Sequence, residues 1–181
     1  MWHAALMTLA IAALSMNGST FRTPEQTASG GQTPQPPRGP QDCKAPEYRQ
    51  FDFWLGNWDV TVQGKPAGAN RIEAALKGCA LIEHWTAASG GRGTSLNFYD
   101  RNTKKWYQAW MDERGGALRL EGGLQNGRMV MQSAASGGTS QRITWSPEAD
   151  GSVRQLWESS SDGGKTWTVA FDGKYVKARE H

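Results

Sequence analysis

The side chains best placed for chemistry are polar ones that alternate with aromatic ones along short segments. Glu83 lies two residues from Trp85, Asn97 two from Tyr99, Gln108 midway between Trp106 and Trp110, and Gln155 two from Trp157. Flat apolar walls with a few hydrogen-bonding groups are what a small-molecule pocket requires. With Arg154 as a charged member, the candidate ligand-binding residues are Glu83, Trp85, Asn97, Trp106, Gln108, Trp110, Arg154, Gln155 and Trp157. A buried Glu83 needs a partner, and Arg142 or Arg154 is expected to supply it. In apolar surroundings the same carboxyl has its pKa raised towards neutrality, which suits a general acid or base. The alternation leaves a second inward set open, with Ile82 and His84, or Tyr107 and Met111, facing the interior instead.

Other chemistries find little support. Of three histidines, His3 and His181 sit at the chain ends, so a histidine-dependent triad or a proximal haem ligand must use His84, which reads more simply as a core residue. No G-x-S-x-G elbow, H-E-x-x-H helix, G-x-G-x-x-G turn or P-loop is present, and no cofactor or metal site is expected. The net charge is +3, but the lysines and arginines are scattered among acidic residues, and no nucleic-acid partner is expected.

The elements that must position these side chains are strands. Turn signals recur at Gly90-Gly91, Gly115-Gly116, Asn126-Gly127, Gly137-Gly138, Asp150-Gly151 and Asp162-Gly163-Gly164, where positive φ angles are tolerated. Between the turns, apolar residues recur with period two: Trp58, Val60 and Val62; Ile72, Ala74 and Leu76; Leu118 and Leu120; Met129 and Met131; Ile143 and Trp145; and Trp167, Val169 and Phe171. Less regular runs at 80–86, 94–100, 106–112 and 153–158 bring the expected strands to ten. Ten hairpin-linked strands without a long crossover predict an all-β, up-and-down antiparallel barrel, with a sandwich as the alternative. In the segment 47–54 the spacing of Tyr48, Phe51 and Trp54 predicts one or two helical turns plugging the barrel floor.

Two local motifs carry resemblances. Gly56-Asn57-Trp58 resembles the Gly-x-Trp signature that opens lipocalin-type barrels. Ser160-Ser161-Asp162-Gly163-Gly164-Lys165-Thr166-Trp167 resembles an Asp-box, a hairpin whose Asp caps turn amides, and a single copy reads as a structural turn. Over most of the chain from Phe51, the segments FDFWLGNWDV, GCALIEHW, GTSLNFYD, KWYQAWMD, GGLQNGRMVM, RITWSPEADGSVRQLWESSSDGGKTW and FDGKY together resemble a bacterial domain-of-unknown-function family of small, often exported, lipocalin-like (calycin-type) β-barrels. The resemblance implies a fold and an exported setting and transfers no catalytic residues.

The amino-terminal region points the same way. Ala4–Leu14 is an apolar stretch of signal-peptide length, too short to span a bilayer, so residues 1–17 are expected to be a signal peptide. Only Met1, Trp2 and His3 precede it, without the usual positive charge, and a start further upstream is left open. Residues 18–42, rich in Pro, Gly and Gln, read as a disordered linker, and 43–181 as the barrel domain. The two cysteines, Cys43 and Cys79, are expected to form a disulfide in the periplasm or outside the cell. The leading functional expectation is a non-enzymatic barrel that binds a small, partly apolar molecule, with no membrane span in the mature protein. The alternatives are a hydrolase or isomerase using Glu83, and an interaction module displayed on the tether.

Overall fold

The computed structural model describes residues 43–179; the expected signal peptide and linker lie outside the described residues. Ten strands follow in order: β1 (Gly56–Val62), β2 (Lys65–Ala75), β3 (Ala80–Ala87), β4 (Arg92–Asp100), β5 (Lys105–Asp112), β6 (Ala117–Gln125), β7 (Arg128–Gln132), β8 (Ser140–Pro147), β9 (Val153–Ser160) and β10 (Thr168–Lys177). Each pairs antiparallel with its sequence neighbours, and β1 closes the barrel on β10. Closure leaves no strand edge unpaired. Two-residue connections need positive φ at both positions, and Asn126-Gly127 supplies it with φ of 49° and 77° between β6 and β7. Gln63-Gly64 does the same between β1 and β2, a turn the sequence reading missed.

The expected plug is present as two 3-10 turns, Pro46–Arg49 and Asp52–Trp54, ahead of β1. Their Phe51 and Trp54 are fully buried, and the Phe51 ring lies 4.9 Å from Trp54, 5.7 Å from Trp106 and 5.2 Å from Trp145 between centroids. The indole of Trp106 donates to the Glu47 carbonyl at 3.2 Å and to Gln50 Oε1 at 3.1 Å, fastening the plug to β5. The Cys43–Cys79 disulfide ties the start of the plug to the β2–β3 connection, and Arg49 reinforces it with a hydrogen bond to the Gly78 carbonyl.

Trp58 sits beside this floor. Its indole donates to the Trp54 carbonyl at 2.8 Å, and the Lys177 ammonium lies 3.8 Å above its ring centroid while bonding the Leu55 carbonyl. Gly56 is at φ 126°, and a Cβ there would strike that ammonium, so the Gly56-x-Trp58 spacing reflects close packing of the first strand on the last.

Two apolar sets depart from the expected faces. Leu76 leaves the strand for a 3-10 turn, at φ 51° and 75% exposed, rather than following Ile72 inward. In β10 the register shifts between Val169 and Phe171, so Ala170 is an extra residue: Val169 points out and Phe171 points in. Trp167 precedes β10 altogether and closes the Asp-box turn. There Asp162 accepts from the Lys165 and Thr166 amides at 2.9 Å each and from the Thr166 hydroxyl at 2.6 Å, while the Arg142 guanidinium stacks over the Trp167 ring at 4.0 Å. No helix among the described residues is long and apolar enough to cross a membrane.

Candidate functional site

Three strands carry the same inward triplet, an apolar residue, a polar one and a tryptophan: Leu81, Glu83 and Trp85 on β3; Trp106, Gln108 and Trp110 on β5; Val153, Gln155 and Trp157 on β9. Side chains two apart share a face of a strand, so the triplets build tiers. The lowest tier packs against the plug. The middle tier is polar. The top tier is an aromatic rim of Trp85, Trp110 and Trp157, completed by Phe171 from β10, whose ring meets Trp85 edge to face at 6.4 Å.

Glycines give the rim its room. A Cβ on Gly68 or Gly93 would collide with the rings of Trp85 or Trp110, and one on Gly173 would collide with Phe171. Strand-interior glycine marks a place where another group approaches the backbone closely, and here that group is an aromatic ring.

In the middle tier the polar groups are joined. Glu83 is 5% exposed; its Oε1 accepts from Asn70 Nδ2 at 2.7 Å and its Oε2 from the Ser95 hydroxyl at 2.6 Å. Ser95 Oγ accepts in turn from Asn97 Nδ2 at 2.8 Å, and Asn97 Oδ1 from Gln108 Nε2 at 2.9 Å. Every bond of this chain runs donor to acceptor towards Glu83. On the other side, the Tyr175 hydroxyl donates to Gln155 Oε1. Burial pushes the Glu83 carboxyl above its ordinary value, opposed by the Ser95 and Asn70 hydrogen bonds and by the charge of His84. The Tyr175 hydroxyl is likewise pushed well up, by burial first and the nearby Glu83 second.

Above the middle tier is a cavity of about 180 Å³ lined by Glu83, Trp85, Gln108, Trp110, Leu118, Ile143, Gln155, Trp157, Phe171 and Tyr175. Six of the nine residues singled out from sequence line it. Trp106 is instead part of the floor, and Asn97 is fully buried behind Gln108. Arg154 is a correction: it lies outside the barrel in a two-pronged ion pair with Asp172, at 2.7 Å for each bond. Arg154 and Gln155 are consecutive in β9, so they cannot share a face. The expected Glu83 partner is corrected with it, since Arg142 is also outside, paired with Glu158 at 2.9 Å. Neutral donors hold the carboxyl.

His84, read as core, lies on the outer face with its ring nitrogen 3.0 Å from Glu73. Ile82, Tyr107 and Met111 are outside as well, and Tyr107 stacks on Phe98 at 5.5 Å. Sequence reasoning passed over Asn70, Ser95 and Tyr175, and read Leu118, Ile143 and Phe171 as core-facing residues without placing them at the cavity. Asn70 and Ser95 are two residues from the inward Ile72 and Asn97, a period-two signal that would have found them.

The arrangement can enclose a flat molecule between aromatic rings and meet it from below with oriented hydrogen-bonding groups. It can also hold one carboxyl in a desolvated place. Fold and site together define a closed ten-stranded antiparallel barrel, filled at one end by its own aromatic plug and hollow at the other. No protein-family model matches this chain, and no curated protein matches it.

Proposed function

We propose that the protein is an exported binding protein, of the lipocalin-like family of unknown activity that its segments resemble, and that it holds a small, partly apolar molecule in the open half of its lumen. The observation that carries this reading is the convergence of aromatic walls and uncommitted polar atoms on one cavity. Gln108 spends its amide nitrogen on Asn97, and Gln155 its carbonyl on Tyr175, so Gln108 Oε1 and Gln155 Nε2 are left to meet a ligand. A cavity of about 150 Å³ accommodates a benzene-sized molecule, so the 180 Å³ here suits a single ring or a group of similar bulk. The Cys43–Cys79 disulfide supports an oxidising compartment.

Tryptophans at the rim give a direct readout. Titrating the purified protein with benzyl alcohol, which does not emit where Trp does, is expected to change its Trp emission with saturation. Leu118→Trp, which fills the cavity from β6, is expected to remove that response while leaving the circular dichroism of the barrel intact. A response that survives the filled cavity would place binding elsewhere and sink the proposal.

A second reading rests on Glu83 itself, a buried carboxyl on the cavity wall whose raised pKa suits general acid or base catalysis of a hydrolysis or isomerisation. Glu83→Gln separates the two readings: turnover lost with the fold unchanged favours an enzyme.

A further inference from the structure

The middle tier holds an ionisable carboxyl with no cation bonded to it. Glu83 is buried, and its two oxygens each accept a single hydrogen bond, from Asn70 and Ser95, both uncharged. An ionised carboxylate offers about four lone-pair sites, so half of its accepting capacity is unused. The ion pairs seen among the described residues run to Asp52, Glu73, Glu121, Asp150, Glu158 and Asp172, and His84 acts on Glu83 only from the outer face, where it bonds Glu73. A buried carboxylate without a counter-charge is costly, so such a group keeps its proton until a cation joins it. Arg142 and Arg154 are both engaged outside the barrel, and Arg71, opposite His84 in the β2–β3 ladder, bonds Glu73 on the outer face. No other residue lining the cavity is a carboxylate or a cation. Above this carboxyl stand Trp85, Trp110, Trp157 and Phe171, whose ring faces attract cations, and the free Gln108 oxygen is an acceptor rather than a donor.

Resting on the lumenal reading, we propose that the ligand is a small organic cation, an ammonium or quaternary ammonium group held within the aromatic rim with its charge towards Glu83. The ligand then supplies the counter-charge that the chain does not. A cation is the ligand that lets the carboxyl ionise; a neutral molecule would leave it protonated, and an anion would oppose its ionisation. Tight fit favours a compact head: 180 Å³ admits a trimethylammonium group and a short tail.

Calorimetric titration of the full chain at pH 8 with choline and with 3,3-dimethylbutan-1-ol, which has the same shape without the charge, tests the inference. Choline is expected to bind about tenfold or more tightly than the alcohol, since a desolvated cation–π contact alone contributes that much. Glu83→Gln should narrow the gap to what the aromatic rim alone provides. Trp110→Leu leaves every hydrogen bond to the carboxyl in place and should weaken choline more than the alcohol, so it decides the matter even if the Glu83 variant does not fold. Equal affinities in the unaltered protein, or binding of indole and benzyl alcohol without choline, would overturn the cation and leave the lumenal reading standing. Absence of binding by choline, the alcohol, indole and benzyl alcohol alike would overturn both.

Discussion

Glu83 concentrates the chemistry of this molecule, and its protonation leaves a signature in stability. Burial makes the folded carboxyl hold its proton to higher pH than the unfolded chain does, where glutamate titrates near about 4.3. Between those two values the native state binds more protons, so stability falls as pH rises from the unfolded pKa through the folded one, then levels off. The facing groups do not reverse this: Tyr175 from β10 is uncharged below its raised pKa, and on β2 and β3 Arg71, Glu73 and His84 interact with one another on the outer face. Urea unfolding midpoints of the protein and of Glu83→Gln, measured from pH 4 to pH 9, are expected to diverge in favour of the variant as pH rises. A constant gap across that range would mean that the carboxyl does not titrate differently in the folded state. Asp162 behaves oppositely, held below its usual range first by the Thr166 hydroxyl and then by turn amides, so its contribution is present above the unfolded pKa and lost on acidification.

At the level of elements, two devices hold the site in shape. The disulfide closes a loop with a sequence separation of 36, and cross-links of that span typically contribute about 2–4 kcal/mol. Replacing Cys43 and Cys79 together by serine is expected to lower the denaturant midpoint accordingly, with no change in the strands seen by far-ultraviolet dichroism. The second device is the seating of rim aromatics on glycines. Gly93 lies beneath Trp110 and faces Trp85 across the β3–β4 ladder. Gly93→Ala is expected to displace the Trp110 ring, shift the Trp emission and destabilise the fold by about 1–3 kcal/mol, as overpacking does. An unmoved emission spectrum would show that the ring does not depend on that glycine. The triplets of β3, β5 and β9 are legible in the sequence as alternating patterns. Their direction is not, because alternation alone treats Glu83 and His84 as equal candidates for the interior.

The whole molecule divides stability and binding between its two ends. The plug end is a continuous aromatic core of Phe51, Trp54, Trp58, Trp106 and Trp145, all at or below 1% exposure. The far end is hollow. Phe51→Ala should therefore cost about 3–5 kcal/mol in stability, the usual range for truncating a buried aromatic, while leaving the affinity for indole or choline unchanged where the protein remains folded. Closing the barrel joins Trp58 to Lys177 through the β1–β10 ladder, a pairing across most of the domain. Folds built on such non-local pairing fold in milliseconds to seconds, and stopped-flow refolding of the protein should fall in that window.

The sequence by itself determined the barrel. Period-two apolar faces and glycine-bearing turns are local properties, and ten such strands in succession have closure as their way to lose both edges. It also marked the disulfide, the plug and most of the cavity wall, because those depend on residue type and spacing. What only the tertiary structure decided was which face turned inward and which charges met. Closure around a floor of Phe51 and Trp54 put Glu83, Gln108 and Gln155 inside and sent Arg142 and Arg154 to outer partners. The extra residue in β10 turned Val169 outward against the simple alternation, while Phe171 and Tyr175 kept the lumenal face. Inward direction is a cooperative property of all ten strands, and ion pairs across strands depend on register; neither is written in any single segment.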